Sequence, residues 1–205
     1  MTVALACLVS GGGRTVLNLQ DRIEAGTLDA RILLAVTDRA CAAEERLRAR
    51  GLEVERVLWP KGGTAAQYGE RVWPVLEAKG PDLVCMCGFL RLLQIPERRE
   101  GRIMNIHPGL LPAFGGPGMY GERVHAAVLE SGAPISGCTV HFADDRYDQG
   151  PIILQRPVPV LPDDTVETLA ARVFEEECRA YPEAIALFGA GRLRLEGHRV
   201  RILDG

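Results

Sequence analysis

Apolar residues come in short unbroken runs separated by longer amphipathic stretches, and this alternation predicts the elements of the chain. Residues 3–9 carry no polar side chain, which predicts a strand buried on both faces of a parallel sheet. The glycine-rich turn Ser10-Gly11-Gly12-Gly13-Arg14-Thr15 follows, and 16–25 repeats its apolar positions with a helical period before Gly26. The cycle recurs as strand 31–37, helix 40–50 closed by Gly51, strand 53–58, helix 64–79 and strand 82–87 closed by Gly88. Strand and helix in succession predict an α/β fold with a mostly parallel central sheet and helices on both faces. Residues 89–93 are apolar enough for either the first turn of a buried helix or the wall of a pocket for a flat heteroaromatic ligand.

The second half changes character. A strand emerging from 101–104 runs into Asn105-Ile106-His107 and stops at Pro108, which cannot donate to a sheet ladder. Four glycines and a proline in 113–121 predict a mobile loop, a candidate lid, before a helix at 122–131 whose His125 faces the loop or solvent. Strand 136–143, an acidic loop at 144–150 and strand 152–160 come next. A long helix capped by Asp163 or Asp164 then runs to about 179, with Pro182 kinking or restarting it and 183–188 completing it. A closing hairpin of 191–195 and 198–203 supplies antiparallel strands near the C-terminal end. No repeat or linker interrupts the pattern, so 1–205 reads as a single domain.

Composition narrows the classes. The 205 residues are 47% hydrophobic and 25% charged, ordinary for a soluble globular protein, and a net charge of −3 gives no basic face for nucleic acid. Met1 to Val9 lacks a basic flank and soon meets glycines, so it reads as a strand rather than a signal peptide; no apolar run reaches the ~20 residues of a membrane span. Six scattered cysteines without a CxxC suggest neither a disulfide framework nor a zinc site, and a reducing cytoplasm fits.

Two places carry candidate chemistry. Residues two apart on a strand share a face, so Asn105 and His107 present an amide and an imidazole side by side at a rigid strand end. A buried carboxylate beside His107 would raise that imidazole's pKa and favour its protonated form; Asp148, held in the acidic turn and followed by Gly150, is the candidate. The glycine turn exposes backbone N–H groups at the positive end of a helix, a plausible phosphate cradle to which Arg14 and Thr15 add donors. A nicotinamide site is the weaker alternative: Gly11 and Gly13 fill two places of GxGxxG, Val16 stands at the third, and Asp38 sits where a ribose-binding acid would. Ligands of such sheets bind outside the carboxyl ends of the strands, so the glycine turn, the segment after Gly88, and Asn105 with His107 are expected at one edge.

The turn from Ser10 to Thr15, the run Gly88-Phe89-Leu90-Arg91-Leu92-Leu93, Asn105-Ile106-His107-Pro108 with Leu110-Leu111-Pro112, and Val140-His141-Phe142 through Asp148-Gln149-Gly150-Pro151 occur in one order. In this the chain resembles the formyltransferase family that uses 10-formyltetrahydrofolate, over nearly its whole length. It is most similar to the single-domain members that formylate the amine of glycinamide ribonucleotide in purine biosynthesis. The resemblance implies a Rossmann-like formyltransferase fold, the folate as co-substrate, no metal, and a monomer or homodimer acting on small molecules. It implies Asn105, His107 and Asp148 as the catalytic trio, and Gly13, Arg14, Thr15 and Glu177 as ribonucleotide contacts. Leu90, Arg91, Leu92 and Leu93 with Asn105, Asp144, Asp145 and Asp148 are the implied folate contacts. Without the resemblance, Glu177 belongs to a solvated Glu175-Glu176-Glu177 face. Arg14-Thr15 in place of the usual Ser-Asn, Gly109 in place of a common Ser, and Phe174 at a position some members make polar are the chain's departures.

Overall fold

The computed structural model describes residues 1–204, and the chain divides into two compact units, Met1–Met104 and Asn105–Gly205. In the first, β1 (Val3–Val9) pairs in parallel with β2 (Ala30–Thr37) on one side and β4 (Leu83–Met86) on the other, and β2 pairs with β3 (Val54–Arg56). Leu5, Ala6, Cys7, Leu8 and Val9 have no exposed surface, as a doubly covered strand requires. The helices α1 (Arg14–Glu24), α2 (Ala42–Ala49) and α3 (Ala65–Lys79) connect these strands. Thr64 starts α3 with a capping box: its hydroxyl accepts the Gln67 N–H while the Gln67 side chain accepts the Thr64 N–H, and Gly80 ends it in the left-handed region.

One expectation fails here. Strand pairing of β3 stops at Arg56, short of 58, although the Val57 and Trp59 N–H groups still donate to the Thr37 and Asp38 carbonyls. Of the two alternatives for residues 89–93, the helical turn is not formed, and the Leu90 N–H donates to the Ser10 hydroxyl. Only a short 3-10 turn, Glu97–Arg99, precedes the next strand.

Strand β5 (Ile103–His107) leads into the second unit and stops at Pro108 as expected. There follow α4 (Glu122–Ser131), β6 (Ile135–Phe142), β7 (Ile152–Pro159), α5 (Val166–Gly189) and the antiparallel pair β8 (Leu193–Glu196) and β9 (Arg199–Ile202). The large sheet has the order β3-β2-β1-β4-β5-β6-β7, with β7 antiparallel to β6. The fold is therefore the mostly parallel α/β sheet that the alternation predicts.

Helix α5 departs from expectation at both landmarks. Thr165, not Asp163 or Asp164, is its N-cap: its hydroxyl accepts the Thr168 N–H, while the Asp164 carboxylate takes the Leu161 N–H and the Arg172 guanidinium. Pro182 does not restart the helix, which runs through it from Val166 to Gly189. It is buried with Ala180, Tyr181, Ala184 and Ile185 on the face packed against β6 and β7, and that burial outweighs one missing hydrogen bond. Among the described residues no helix is long and apolar enough to cross a membrane.

Candidate active site

In the second unit the end of β5 meets two loops. His107 is buried, with 3% of its surface exposed, and Asn105 is half-buried beside it. Asp148 closes the acidic loop in a left-handed backbone conformation, φ 55°, unusual for a residue with a Cβ. Its Oδ2 accepts the Gly116 N–H at 2.9 Å and lies 3.6 Å from His107 Nδ1; its Oδ1 lies 3.4 Å from Asn105 Nδ2. The structure thus brings the three expected catalytic residues together around one carboxylate, itself pinned by the glycine-rich loop. Gly150 is needed nearby because a Cβ there would collide with the Phe142 carbonyl.

Protons can be placed by elimination. His107 Nε2 is 2.9 Å from the Phe114 carbonyl, which can only accept, so in the neutral ring the proton is on Nε2. His141, on β6, has Nδ1 at 2.9 Å from the Phe142 carbonyl and Nε2 at 3.0 Å from Asn105 Nδ2. Its proton is therefore on Nδ1, and Nε2 accepts from the amide.

Burial pushes His107 below the ordinary histidine range; the Asp148 charge and the Phe114 carbonyl push it up, but less. The carboxylate acts in the expected direction, and desolvation of a ring with 3% exposure outweighs a partner 3.6 Å away. His125 departs from expectation. It does not face solvent but is buried on α4, and that burial is the first cause holding it below the ordinary histidine range.

A second layer holds the loop after His107. The buried Thr139 hydroxyl donates to the Gly109 carbonyl at 2.6 Å and accepts the Leu111 N–H at 3.0 Å and Gln155 Nε2 at 2.9 Å. Gln155 also donates to the Leu111 carbonyl. The loop passes so close that a Cβ on Gly109 would lie 3.1 Å from His107 Nε2.

The first unit holds the glycine turn at the carboxyl end of β1. Gly13, φ 76°, is the N-cap of α1, and a Cβ there would also lie 3.0 Å from that of Ala43, so the position requires glycine twice over. Arg14, exposed, and Thr15, half-buried, open the helix. The Ser10 N–H donates to the Gly88 carbonyl and the Ser10 hydroxyl accepts the Leu90 N–H, so this turn and the segment 88–93 are tied together.

Asp38 is committed elsewhere. Its side chain has no exposed surface and accepts from Arg39 at 2.8 Å and from Arg91 Nε at 3.2 Å, and Arg91 lies over the Trp59 ring. Burial raises its pKa, but the bonds from Arg39, Ser10 and Arg91 prevail and hold the carboxyl low. An acid so engaged is not available to a ribose, which removes the basis of the nicotinamide reading.

Of the other expected contacts, Asp144 binds the N–H and guanidinium of Arg146, and Asp145 is exposed. Glu177 is half-buried rather than on a solvated face. The Cys138 thiol is pushed up to about 12 by burial, then by the charges of Glu177 and Glu176. His141, Thr139 and Gln155 are the site residues that sequence reasoning missed. Thr139 and His141 stand two apart on β6 and so share a face, but nothing in the sequence says which strand lies beside it.

A family model described as "Formyl transferase" matches residues 3–185. The chain is 39% identical over 196 residues to a chloroplastic phosphoribosylglycinamide formyltransferase of Arabidopsis thaliana, covering 93% of this chain and 66% of that protein. It is 31% identical over 205 residues to the phosphoribosylglycinamide formyltransferase of Haemophilus influenzae, covering 98% and 93%. It spans less than two thirds of the curated plant relatives, 66% of the Arabidopsis protein and 59% of one from Vigna unguiculata. A crystal structure of glycinamide ribonucleotide transformylase 1 from Symbiobacterium toebii superposes with a TM-score of 0.89 at 41% identity, covering 99% of this chain and 95% of that one. With the family model spanning nearly all of β1 to α5, the chain belongs to the formyl transferase family.

Proposed function

We propose that the chain, as one formyltransferase domain over 1–205, transfers a formyl group from 10-formyltetrahydrofolate to the primary amine of glycinamide ribonucleotide in purine synthesis. The observation that carries the reading is the arrangement of Asn105 and His107 around Asp148, at 3.4 and 3.6 Å. The names of the relatives at 31–41% identity favour the same reaction.

The amine attacks the formyl carbon, a C–N bond forms, and the carbonyl electron pair moves to oxygen. An N–H of Asn105 and the His107 imidazole stabilise that oxyanion. His107 stabilises it in its protonated form, having taken a proton from solvent that it keeps through collapse; the Asp148 carboxylate favours that charged form against the burial that opposes it. Collapse restores the carbonyl and breaks the bond to the folate nitrogen, which leaves with the proton given up by the amine. Asp148 is placed to relay that proton through water. The chemistry needs no metal and no covalent enzyme intermediate.

We assign the substrate phosphate to Gly13, Arg14 and Thr15, where α1 presents its positive end, and assign Glu177 to the ribonucleotide. Folate contacts are assigned to Leu90, Arg91, Leu92 and Leu93 in the first unit and to Asn105, Asp144, Asp145 and Asp148 in the second. The reading places a monomer or homodimer in the cytoplasm, with neither nucleic acid nor membrane as partner. The test mixes purified protein with 10-formyltetrahydrofolate, with and without glycinamide ribonucleotide, and follows deformylated folate by absorbance. Folate turnover that requires the ribonucleotide and yields its formylated product is expected. Turnover without it, releasing formate, would replace the transferase reading with a hydrolase.

A further inference from the structure

We infer that His141 is a positioning residue for formyl transfer: it fixes the Asn105 carboxamide so that one of its two N–H groups is directed at Asp148 and is free to move to an oxyanion. This deepens the formyl-transfer reading and rests on it.

A carboxamide has a donor end and an acceptor end, and a half-turn about its last bond exchanges them. His141 decides which end faces β6. The Phe142 carbonyl, 2.9 Å from Nδ1, leaves that nitrogen no role but donor. Burial of a ring with 2% exposure, the largest cause, holds it below the ordinary histidine range and favours the neutral form, against Asp148 Oδ1 at 3.8 Å from Nε2 and Asp144 beyond it. Nε2 therefore offers a lone pair, and the group 3.0 Å from it must be the nitrogen of Asn105.

The second N–H then runs towards Asp148 Oδ1, 3.4 Å away, a long and weak contact. Asp148 favours the same orientation, but only while that N–H stays with it. Once the N–H turns to an oxyanion, the His141 bond alone keeps the donor end in the site. A leucine at 141 removes the acceptor, whereas a glutamine returns a carbonyl acceptor near the place of Nε2.

The test compares the wild-type chain with His141→Leu and His141→Gln in ribonucleotide-dependent formyl transfer across pH. His141→Leu is expected to lose roughly 10²-fold in kcat, the loss seen on removing one oxyanion donor, with both KM values within about twofold of wild type. His141→Gln is expected to recover most of that loss and to keep the wild-type acid limb of kcat/KM. A His141→Leu enzyme with wild-type kcat, a His141→Gln enzyme as impaired as His141→Leu, or an acid limb displaced in His141→Gln would each overturn the assignment.

A further readout requires no variant to fold. In ¹⁵N-labelled wild type, a scalar coupling across the hydrogen bond between Asn105 Nδ2 and His141 Nε2 is expected, and its absence would show the amide turned the other way. If wild type itself transfers no formyl group to the ribonucleotide, the formyl-transfer reading falls and this assignment with it. If wild type transfers and His141→Leu matches it, this assignment falls alone.

Discussion

Acid should destabilise this protein well before its carboxylates protonate, because three imidazoles are buried in their neutral forms. His107, His125 and His141 are each 4% exposed or less, and burial is the first cause pushing each below the ordinary value of 6.5. As pH falls through 6.5 the unfolded chain takes up a proton at each position that the folded chain still refuses. Stability conferred by a neutral buried ring is thus complete above the unfolded pKa and is lost as pH falls from there towards the folded values. Each such proton contributes a slope of about 1.4 kcal/mol per pH unit, so three give a ceiling of about 4 kcal/mol per unit. Against a total stability on the order of 5–15 kcal/mol, one pH unit removes a large share. Carboxylates held low in the folded state, such as Glu44 at about 2, add their loss only below 4.5. Urea unfolding at constant ionic strength between about pH 8 and pH 5 separates the two regimes. A plateau above about pH 7.5 is expected, followed by a fall below 6.5 steeper than one proton allows. His125→Gln should reduce the slope by about a third. Stability that is flat or rises from pH 7.5 to 5 would refute the reasoning.

His107→Ala is expected to lose about 10²–10⁴-fold in turnover while retaining cooperative unfolding; full activity would rule out its catalytic role. Asp148→Asn keeps an acceptor for the Gly116 N–H but withdraws the charge that lifts His107, so turnover should fall and the acid limb of the rate profile move to lower pH. An unchanged profile would contradict that role. Thr139→Val strands the buried Gly109 carbonyl and Leu111 N–H, which should cost about 2–4 kcal/mol in urea unfolding, and Thr139→Ser should recover most of it. A valine variant as stable as wild type would show that the loop after His107 does not depend on that hydroxyl.

What the sequence made legible was whatever depends on neighbours along the chain. The apolar run Val3–Val9, the stop at Pro108 and the shared face of Asn105 and His107 all follow from local period and backbone chemistry. Asp148 was singled out because it is held in the acidic turn and followed by Gly150, which is a short-range pattern. The misses have one physical cause. His141 became a site residue only because β6 lies beside β5, and strand order is a property of the whole sheet. Asp38 had the right place for a ribose acid, and only the fold shows that Arg39 and Arg91 already occupy it. Asp148 raises His107 as expected, but the desolvation that opposes it was not legible, because the number of groups that bury a ring cannot be counted from its neighbours in sequence.

That opposition bears on how the site works. A permanently charged imidazole beside Asp148 would form a settled ion pair, and the substrate oxyanion would have to compete with the carboxylate for it. Burial opposes the charged form of His107 and Asp148 favours it, so in the proposed reaction a second negative charge beside the ring would tip it towards the protonated form. The same holds for Asn105, whose N–H to Asp148 is long at 3.4 Å and whose N–H to His141 is short at 3.0 Å. One bond holds the amide and the other is loosely held. In both residues the firm hydrogen bond goes to a group outside the trio, Phe114 for His107 and His141 for Asn105, and the weak contact goes to Asp148. A site arranged this way binds its own parts firmly at their backs and weakly at their faces, which leaves the faces for the charge that the proposed transfer would create.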